Sequence, residues 1–131
     1  MIAAGIGCRR NAPAEAIEAA IEAALTACGL QRAALTVLAT AADKAGEAGL
    51  QSVAERWALP LVLVDQAEMR NKSGQTLTKS ARVAALKGVP SVAETAALAA
   101  AGVGARLLCA RVKNGQAACA LASGDGAGDQ R

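Results

Sequence analysis

The sequence predicts an α/β domain in which a mixed sheet carries helices on both faces. Apolar segments of strand length alternate with helical patterns over the first half of the chain, which is typical of a parallel sheet with right-handed crossovers. Near the end, Asn114-Gly115 separates two apolar segments and predicts an antiparallel hairpin. The length of 131 residues suffices for one hydrophobic core. We therefore expect three parallel strands extended by a C-terminal hairpin.

The first half of the chain supplies the parallel strands. An apolar segment that begins at Ile2 predicts the first strand, and the other two are expected at 35–38 and 61–64. The third is continuously apolar, as a parallel strand buried on both faces should be. A helix opens at Pro13, and another is expected over 48–58. The apolar stripe of the first helix consists of Ile17, Ala20, Ile21, Ala24, Leu25 and Cys28.

The second half contains two helix starts and a polar stretch between them. Asp65–Glu68 and Ser91–Glu94 each match a capping box, and the second should open a helix that ends near Ala101. Between them, 70–80 is polar and without periodicity, so it is either a surface loop or a mobile lid over a site. A short helix is predicted at 81–86.

The hairpin and a tail complete the domain. The hairpin strands are expected to pair so that Ala110 lies opposite Cys119 and Lys113 opposite Gln116. A composition rich in Gly, Asp and Ser predicts a disordered tail at 123–131, which leaves a single domain before it, over residues 1–122.

Composition excludes several classes of function. The chain has no His, which excludes Ser-His-Asp catalysis, His-ligated metals and haem held by axial His. Trp57 is the only aromatic residue, and the net charge of +3 is too small for a nucleic-acid surface. Charged residues interrupt every apolar stretch that approaches membrane-spanning length. We therefore expect neither nucleic acid nor a membrane as a partner.

The four cysteines indicate a reducing compartment. They are widely spaced and form no C-x-x-C pair, at positions Cys8, Cys28, Cys109 and Cys119. We expect all four to be thiols under reducing conditions, with no bound metal. No secretory signal is visible, so the sequence predicts a cytoplasmic protein.

The turn after the first strand is the first candidate binding site. Gly5 and Gly7 allow a close turn before a helix start, whose unpaired N–H groups can cradle an anion. Arg9 and Arg10 add guanidinium groups that bind carboxylate or phosphate bidentately. The third glycine of a dinucleotide fingerprint is missing, so neither NAD nor FAD is expected. A tight strand–helix connection without a ligand is the alternative. Cys8 is either a nucleophile or a small residue suited to this turn.

A second group of charged residues follows the second strand. Asp43, Lys44 and Glu47 lie in or just after the connection to the next helix. Because the carboxyl ends of parallel strands meet at one edge of a sheet, we expect these side chains near the first turn. The alternative is that all three are solvated surface charges.

Three motifs occur in register across nearly the whole chain. They are Gly5-Ile6-Gly7-Cys8-Arg9-Arg10, Thr40-x-x-Asp43-Lys44-x-x-Glu47-x-Gly49-Leu50 and Val89-Pro90-Ser91-Val92-Ala93-Glu94-Thr95-Ala96-Ala97-Leu98. Together they resemble the cobalamin-biosynthesis family made of CobE and the C-terminal domain of CbiG. Two positions depart from the family pattern: Asn11, where a small glycine-like residue is common, and Ala45-Gly46, where the family is usually more polar.

The resemblance implies a three-layer α/β/α domain that works on the corrin ring of vitamin B12 during its assembly. Family positions carry over to Gly5, Gly7, Cys8, Arg9, Lys44, Glu47, Ser91, Glu94 and Ala97. For Ser91 and Glu94, the capping box is an alternative to direct contact with the ligand.

Two classes of function remain open. In the first, the protein binds a precorrin or other corrinoid, or hands it on, and other enzymes of the pathway would be its partners. Such macrocycles are edged with acetate and propionate carboxylates, which Arg9, Arg10 and Lys44 are suited to bind. In the second, it is a hydrolase that opens a ring lactone, as the two-domain CbiG proteins are understood to do. The lack of an evident acid–base pair beyond Asp43 and Glu47 favours the first class. No cofactor is expected in either.

Overall fold

The computed structural model describes residues 1–77 and 91–126, with a six-stranded sheet as its middle layer. The strands are β1 (Ile2–Cys8), β2 (Val37–Ala41), β3 (Leu61–Val64), β4 (Arg106–Leu107), β5 (Val112–Asn114) and β6 (Ala117–Ser123). The helices of the described residues are α1 (Ala14–Cys28), α2 (Ala48–Arg56), α3 (Gln66–Asn71) and α4 (Val92–Ala101).

The sheet is mixed, in the order β3-β2-β1-β6-β4, and β5 also pairs with β6. The first three strands are parallel, so that Ile6 lies beside Thr40 and Thr40 beside Leu63. β6 runs antiparallel to β1 along its full length, from Ser123 beside Ile2 to Ala117 beside Cys8. This arrangement confirms the predicted α/β class with parallel and antiparallel strands.

The two faces of the sheet carry different helices. On one face, Ile6 and Leu38 pack against α1 and α2. The helix residues buried in that core are Ile17, Ile21, Leu25, Leu50 and Val53. On the other face, Ala3 and Ala122 pack against Ala97 and Leu98 of α4. The domain therefore has three layers, and α1 and α2 share a face because both make right-handed crossovers in the same direction along the sheet.

Gly5 allows the close approach of α4 to β1. A Cβ atom at this position would overlap the carbonyl oxygen of Ala93 and the nitrogen of Ala97. At Gly7, by contrast, a Cβ atom would only reach ordinary contact, 3.7 Å from Val92 and Ala93. The requirement for glycine in the first motif thus comes from helix packing at Gly5.

The position of β3 differs from the prediction. It is an edge strand, and the side chains of Val62 and Leu63 are 39% and 45% exposed. The expectation of burial on both faces is therefore wrong. A continuously apolar segment indicates a strand, but it does not distinguish the centre of a sheet from its edge.

The hairpin register also differs from the prediction. Leu107 pairs with Ala122 in the predicted register, but Val112, not Ala110, pairs with Cys119. Residues 108–111 interrupt the strand, so four residues stand opposite two of β6. The turn therefore closes with Asn114 paired to Ala117 in place of Lys113 paired to Gln116. Gly115, with a φ of 63°, takes the first central position of the turn.

Two of the cysteines are paired, which corrects the prediction of four thiols. Cys28, at the end of α1, and Cys109, in the interruption, form a disulfide with a Cα–Cα distance of 6.4 Å. Cys119 is buried and remains a thiol, and burial raises the pKa of that thiol far above its ordinary value. Cys8 is half-buried and outside the disulfide. The two bonded residues are 81 positions apart, and their contact depends on the packing of α1 against the hairpin.

Regular hydrogen bonding continues into the first residues of the predicted tail. Ser123 belongs to β6, and the next residues are ordered, because Asp125 donates to the Val103 carbonyl and Gly126 to that of Ala101. The predicted helix at 81–86 and the rest of the tail, 127–131, lie outside the described residues. The predicted bounds of α1 and α4 are confirmed. No described helix has the length and apolar character needed to cross a membrane.

Candidate functional site

The carboxyl ends of β1, β2 and β3 define the edge of the sheet where a ligand is expected. The chain passes from β1 to β2 and β3 on one side, whereas β6 lies on the other side of β1. Ligands of open α/β sheets bind where the strand order reverses in this way. The loops after β1 and β2 reach this edge, and so does the β5–β6 turn, because Ala117 pairs with Cys8. We call it the carboxyl edge.

Hydrogen bonds connect the β1–α1 loop to its neighbours. The Arg9 N–H donates to the Gln116 carbonyl (2.9 Å), which joins the loop to the β5–β6 turn. The Asn11 N–H donates to Oε1 of Glu47 (2.8 Å), which joins it to the β2–α2 loop. Asn11 has a φ of 63°, a left-handed conformation that glycine and asparagine adopt most readily. Asn11 therefore adopts a conformation that is open to a glycine as well.

Three cationic side chains belong to the loops at the carboxyl edge. Arg9 and Arg10 are exposed and Lys44 is half-buried, and none of the three side chains forms an ion pair or hydrogen bond within the described residues. The ion pairs of the described residues are formed by Arg32 and Arg56. Both pair with glutamates of α1 and are outside the carboxyl edge. The carboxyl edge thus contains three cationic side chains that form no ion pair with a described carboxylate.

Asp43 and Cys8 occupy different surroundings at this edge. Asp43 is exposed, in a single helical turn over Ala42–Lys44. Cys8 is on the same face of β1 as Ile6 and packs against the core beneath α1. This packing favours the interpretation of Cys8 as a small residue that fits a tight turn.

The start of α4 is held by a buried carboxylate. Glu94 has no exposed surface; its Oε1 accepts a hydrogen bond from the Leu77 N–H (2.8 Å) and its Oε2 one from the Arg111 N–H (2.8 Å). The Ser91 hydroxyl caps the helix by accepting from the Glu94 N–H (3.3 Å). A buried charge requires such partners. Glu94 therefore joins α4 to the polar stretch and to 108–111, which favours the structural interpretation of this capping box.

The described part of the polar stretch is anchored. Ser73–Gln75 forms one helical turn, Thr76 is 5% exposed, and Leu77 is bonded to Glu94. These contacts favour an ordinary surface segment up to Leu77, and 78–80 lie outside the described residues.

A shallow groove of about 360 Å³ lies beside the β1–α1 loop, between the starts of α1 and α2. Gly49 permits this proximity, because a Cβ atom there would overlap the Ala12 carbonyl oxygen. Asn11, Glu15, Ser52 and Arg56 contribute its polar surface. Within residues 1–77 and 91–126, no cluster of His, Cys, Asp or Glu is arranged to hold a metal ion.

Arg111 and Lys113 are cations near the site that none of the three sequence motifs contains. Arg111 lies next to the first turn of α4 through its bond to Glu94, and Lys113 precedes the β5–β6 turn. The Asn114-Gly115 pattern indicates a turn, but only the pairing of Ala117 with Cys8 brings that turn to the carboxyl edge.

The chain is similar to known proteins over almost its whole length. The family model described as Cobalamin synthesis G C-terminus matches residues 2–122. Protein CobE of Sinorhizobium sp is 33% identical over 118 residues, 90% of this chain and 77% of that protein. A crystal structure of CobE, a protein from the cobalamin (vitamin B12) biosynthetic pathway, superposes with a TM-score of 0.88 at 36% identity and covers 93% of this chain and 89% of that one.

A second solved structure is similarly close. Cobalamin biosynthesis protein chiG from Agrobacterium tumefaciens is 42% identical, with a TM-score of 0.75 and coverage of 95% of this chain and 99% of that one. These similarities agree with the order of the three motifs in the sequence and with the observed three-layer fold. This chain belongs to the cobalamin-biosynthesis family made of CobE and the C-terminal domain of CbiG.

Proposed function

We propose that this protein binds a precorrin intermediate of corrin ring assembly by its carboxylates and hands it on to another enzyme of the pathway. The observation that supports this proposal most strongly is the group of cations at the carboxyl edge. Arg9, Arg10 and Lys44 are in the loops that follow β1 and β2, and none of them has an ion-pair partner among the described residues.

The chemistry of these cations suits a macrocycle edged with carboxylates. Arginine forms paired, charge-assisted hydrogen bonds with a carboxylate, each contributing about 1.5 to 3 kcal/mol. Neighbouring like charges repel each other, so an anion that binds among them also relieves that repulsion. A broad, open edge fits a large ligand better than a small enclosed pocket would. Asp43 and Glu47 are not needed as an acid–base pair in this proposal, because Glu47 already holds the Asn11 N–H.

A titration tests the proposal. Precorrins are added to the purified protein, binding is followed by the absorbance of the macrocycle, and the recovered ligand is weighed by mass spectrometry. We expect saturable binding and an unchanged ligand mass. A ligand heavier by one water would instead support the lactone hydrolase, and no binding at all would contradict both.

Variants locate the binding surface. Arg9→Gln and Lys44→Gln should each weaken binding without lowering the melting temperature, since both residues are in loops at the carboxyl edge. Arg106→Gln is the matched control, because Arg106 pairs with Ser123 at the opposite edge of the sheet. Equal weakening in all three variants would mean that the binding surface is elsewhere.

A further inference from the structure

We propose that Arg111 is a further carboxylate-binding residue of this site, and that Glu94 and the Cys28–Cys109 disulfide position it. The inference rests on the proposed function, and it adds to that function a cation that none of the three motifs contains.

The position of Arg111 is set by the interruption between β4 and β5. Residues 108–111 stand opposite only two residues of β6, so part of this segment has no place in the strand ladder. The Leu108 N–H still donates to the Leu121 carbonyl (2.9 Å), whereas the Arg111 N–H turns to Oε2 of Glu94 (2.8 Å). Arg111 is thereby placed against the first turn of α4.

The first turn of α4 lies beside the carboxyl edge. Val92 and Ala93 approach Gly7, which immediately precedes Cys8 and the cationic loop. From this backbone position, the long side chain of Arg111 can extend toward a ligand that lies over the end of β1 and the start of β6. Arg111 is half-buried, and its guanidinium group has no ion pair or hydrogen bond among residues 1–77 and 91–126.

Two independent ties restrict this segment. Glu94 holds the backbone of Arg111 from the α4 side, and its own position is fixed because its other oxygen accepts from Leu77. Two residues before Arg111, Cys109 is bonded to Cys28 at the end of α1. A segment held at both points loses little conformational freedom when a ligand binds, and such pre-organisation raises affinity. Glu94 is thus a positioning residue that acts through Arg111, without contact to the ligand.

The test uses cobyrinic acid, a stable corrin edged with carboxylates, and its fully methylated ester, which has the same ring without those charges. Arg111→Gln should weaken binding of the acid about tenfold, as expected for one lost charge-assisted contact, and should leave binding of the ester unchanged. Arg106→Gln, the control with the same change of charge, should bind both ligands as the wild type does.

The positioning role is tested by combining variants. In Glu94→Gln, only one side-chain oxygen remains to accept from the N–H groups of Leu77 and Arg111. This variant should weaken binding of the acid when Arg111 is present. It should cause no further loss of binding in a protein that already has Arg111→Gln. If Glu94→Gln does not fold, the double variant Cys28→Ser, Cys109→Ser replaces it, with the same two expectations. An equal loss in both backgrounds would show that these residues stabilise the domain without positioning Arg111.

The possible failures are distinguishable. If Arg9→Gln weakens binding of the acid and Arg111→Gln does not, the site is real and the assignment of Arg111 is wrong. If the wild-type protein binds neither cobyrinic acid nor a precorrin, the proposed function fails and the inference fails with it.

Discussion

Two pairs of arginines in this domain have opposite surroundings. On the outer surface of α1 and α2, Arg32 contacts Glu22 at 2.7 Å and lies 3.7 Å above the Trp57 ring, and Arg56 pairs with Glu18. At the carboxyl edge, Arg9 and Arg10 have no such partners within the described part of the chain. The same residue type thus stabilises the helical layer in one region and is left available in the other.

The ion pair of Arg56 and Glu18 also involves Trp57, the one aromatic residue of the chain. The indole N–H of Trp57 donates to Oε2 of Glu18 (2.9 Å), and Arg56 donates to the other oxygen of the same carboxylate (3.2 Å). Arg32 and Arg56 thus contribute to the packing of the folded protein, and no ligand is needed to explain them. Like charges without such partners oppose folding slightly, and an anionic ligand that binds among them relieves their repulsion.

The largest expected effect is on stability, and it comes from a substitution in β1, the strand that precedes Arg9 and Arg10. Gly5→Val should lower the free energy of unfolding by about 3 kcal/mol or more, because the new side chain would overlap the backbone of α4. Gly7→Ala is the control, since its Cβ atom would only make ordinary contacts. Chemical denaturation of both variants measures the difference, and similar stabilities would mean that α4 does not pack against β1 as closely as described.

Removing one unpaired arginine should change binding and leave stability unaltered. We expect Arg9→Gln to weaken the affinity for cobyrinic acid about tenfold, with the melting temperature unchanged. One charge-assisted contact with the ligand is lost, and the Arg9 guanidinium group forms no ion pair or hydrogen bond with the residues that the structure describes. Calorimetric titration and thermal denaturation of the same sample provide the two values. A lower melting temperature with normal affinity would contradict the comparison.

Removing a paired arginine should have the opposite and smaller effect. Arg32→Gln should lower the free energy of unfolding by about 1 kcal/mol, since it removes one exposed ion pair and one contact with an aromatic ring. Its affinity for cobyrinic acid should equal that of the wild type. Loss of binding in this variant would place the ligand on the α1–α2 surface instead of the carboxyl edge.

Much of the fold follows from local sequence patterns. The apolar stripe from Ile17 to Leu25 predicts α1, and the capping box at Ser91 predicts the start of α4, because helix periodicity and capping involve residues only a few positions apart. The same reasoning cannot show that β3 is an edge strand, because the position of a strand depends on the other strands beside it.

The features that the sequence did not reveal depend on long-range contacts. The disulfide joins Cys28 to Cys109, and the partners of the Glu94 carboxylate, Leu77 and Arg111, are each 17 positions away from it. The hairpin register depends on an insertion of two residues that leaves the alternation of apolar residues nearly unchanged.

For the candidate site, the positions of the loops could be predicted from the sequence, but the contacts between them could not. Strand ends place the loops that contain Arg9 and Lys44 at one edge, whatever the details of packing. The contact between Asn11 and Glu47, and the approach of Arg111 to α4, exist only in the folded chain.

The most direct test of the account is a calorimetric titration of the wild-type protein with cobyrinic acid and with its fully methylated ester, at low and at high salt. If the unpaired cations bind the carboxylates, the acid should bind saturably, its affinity should fall as salt rises, and the ester should bind at least tenfold more weakly at low salt. Equal affinity for the acid and the ester, independent of salt, would contradict the claim that the carboxyl edge recognises its ligand by charge.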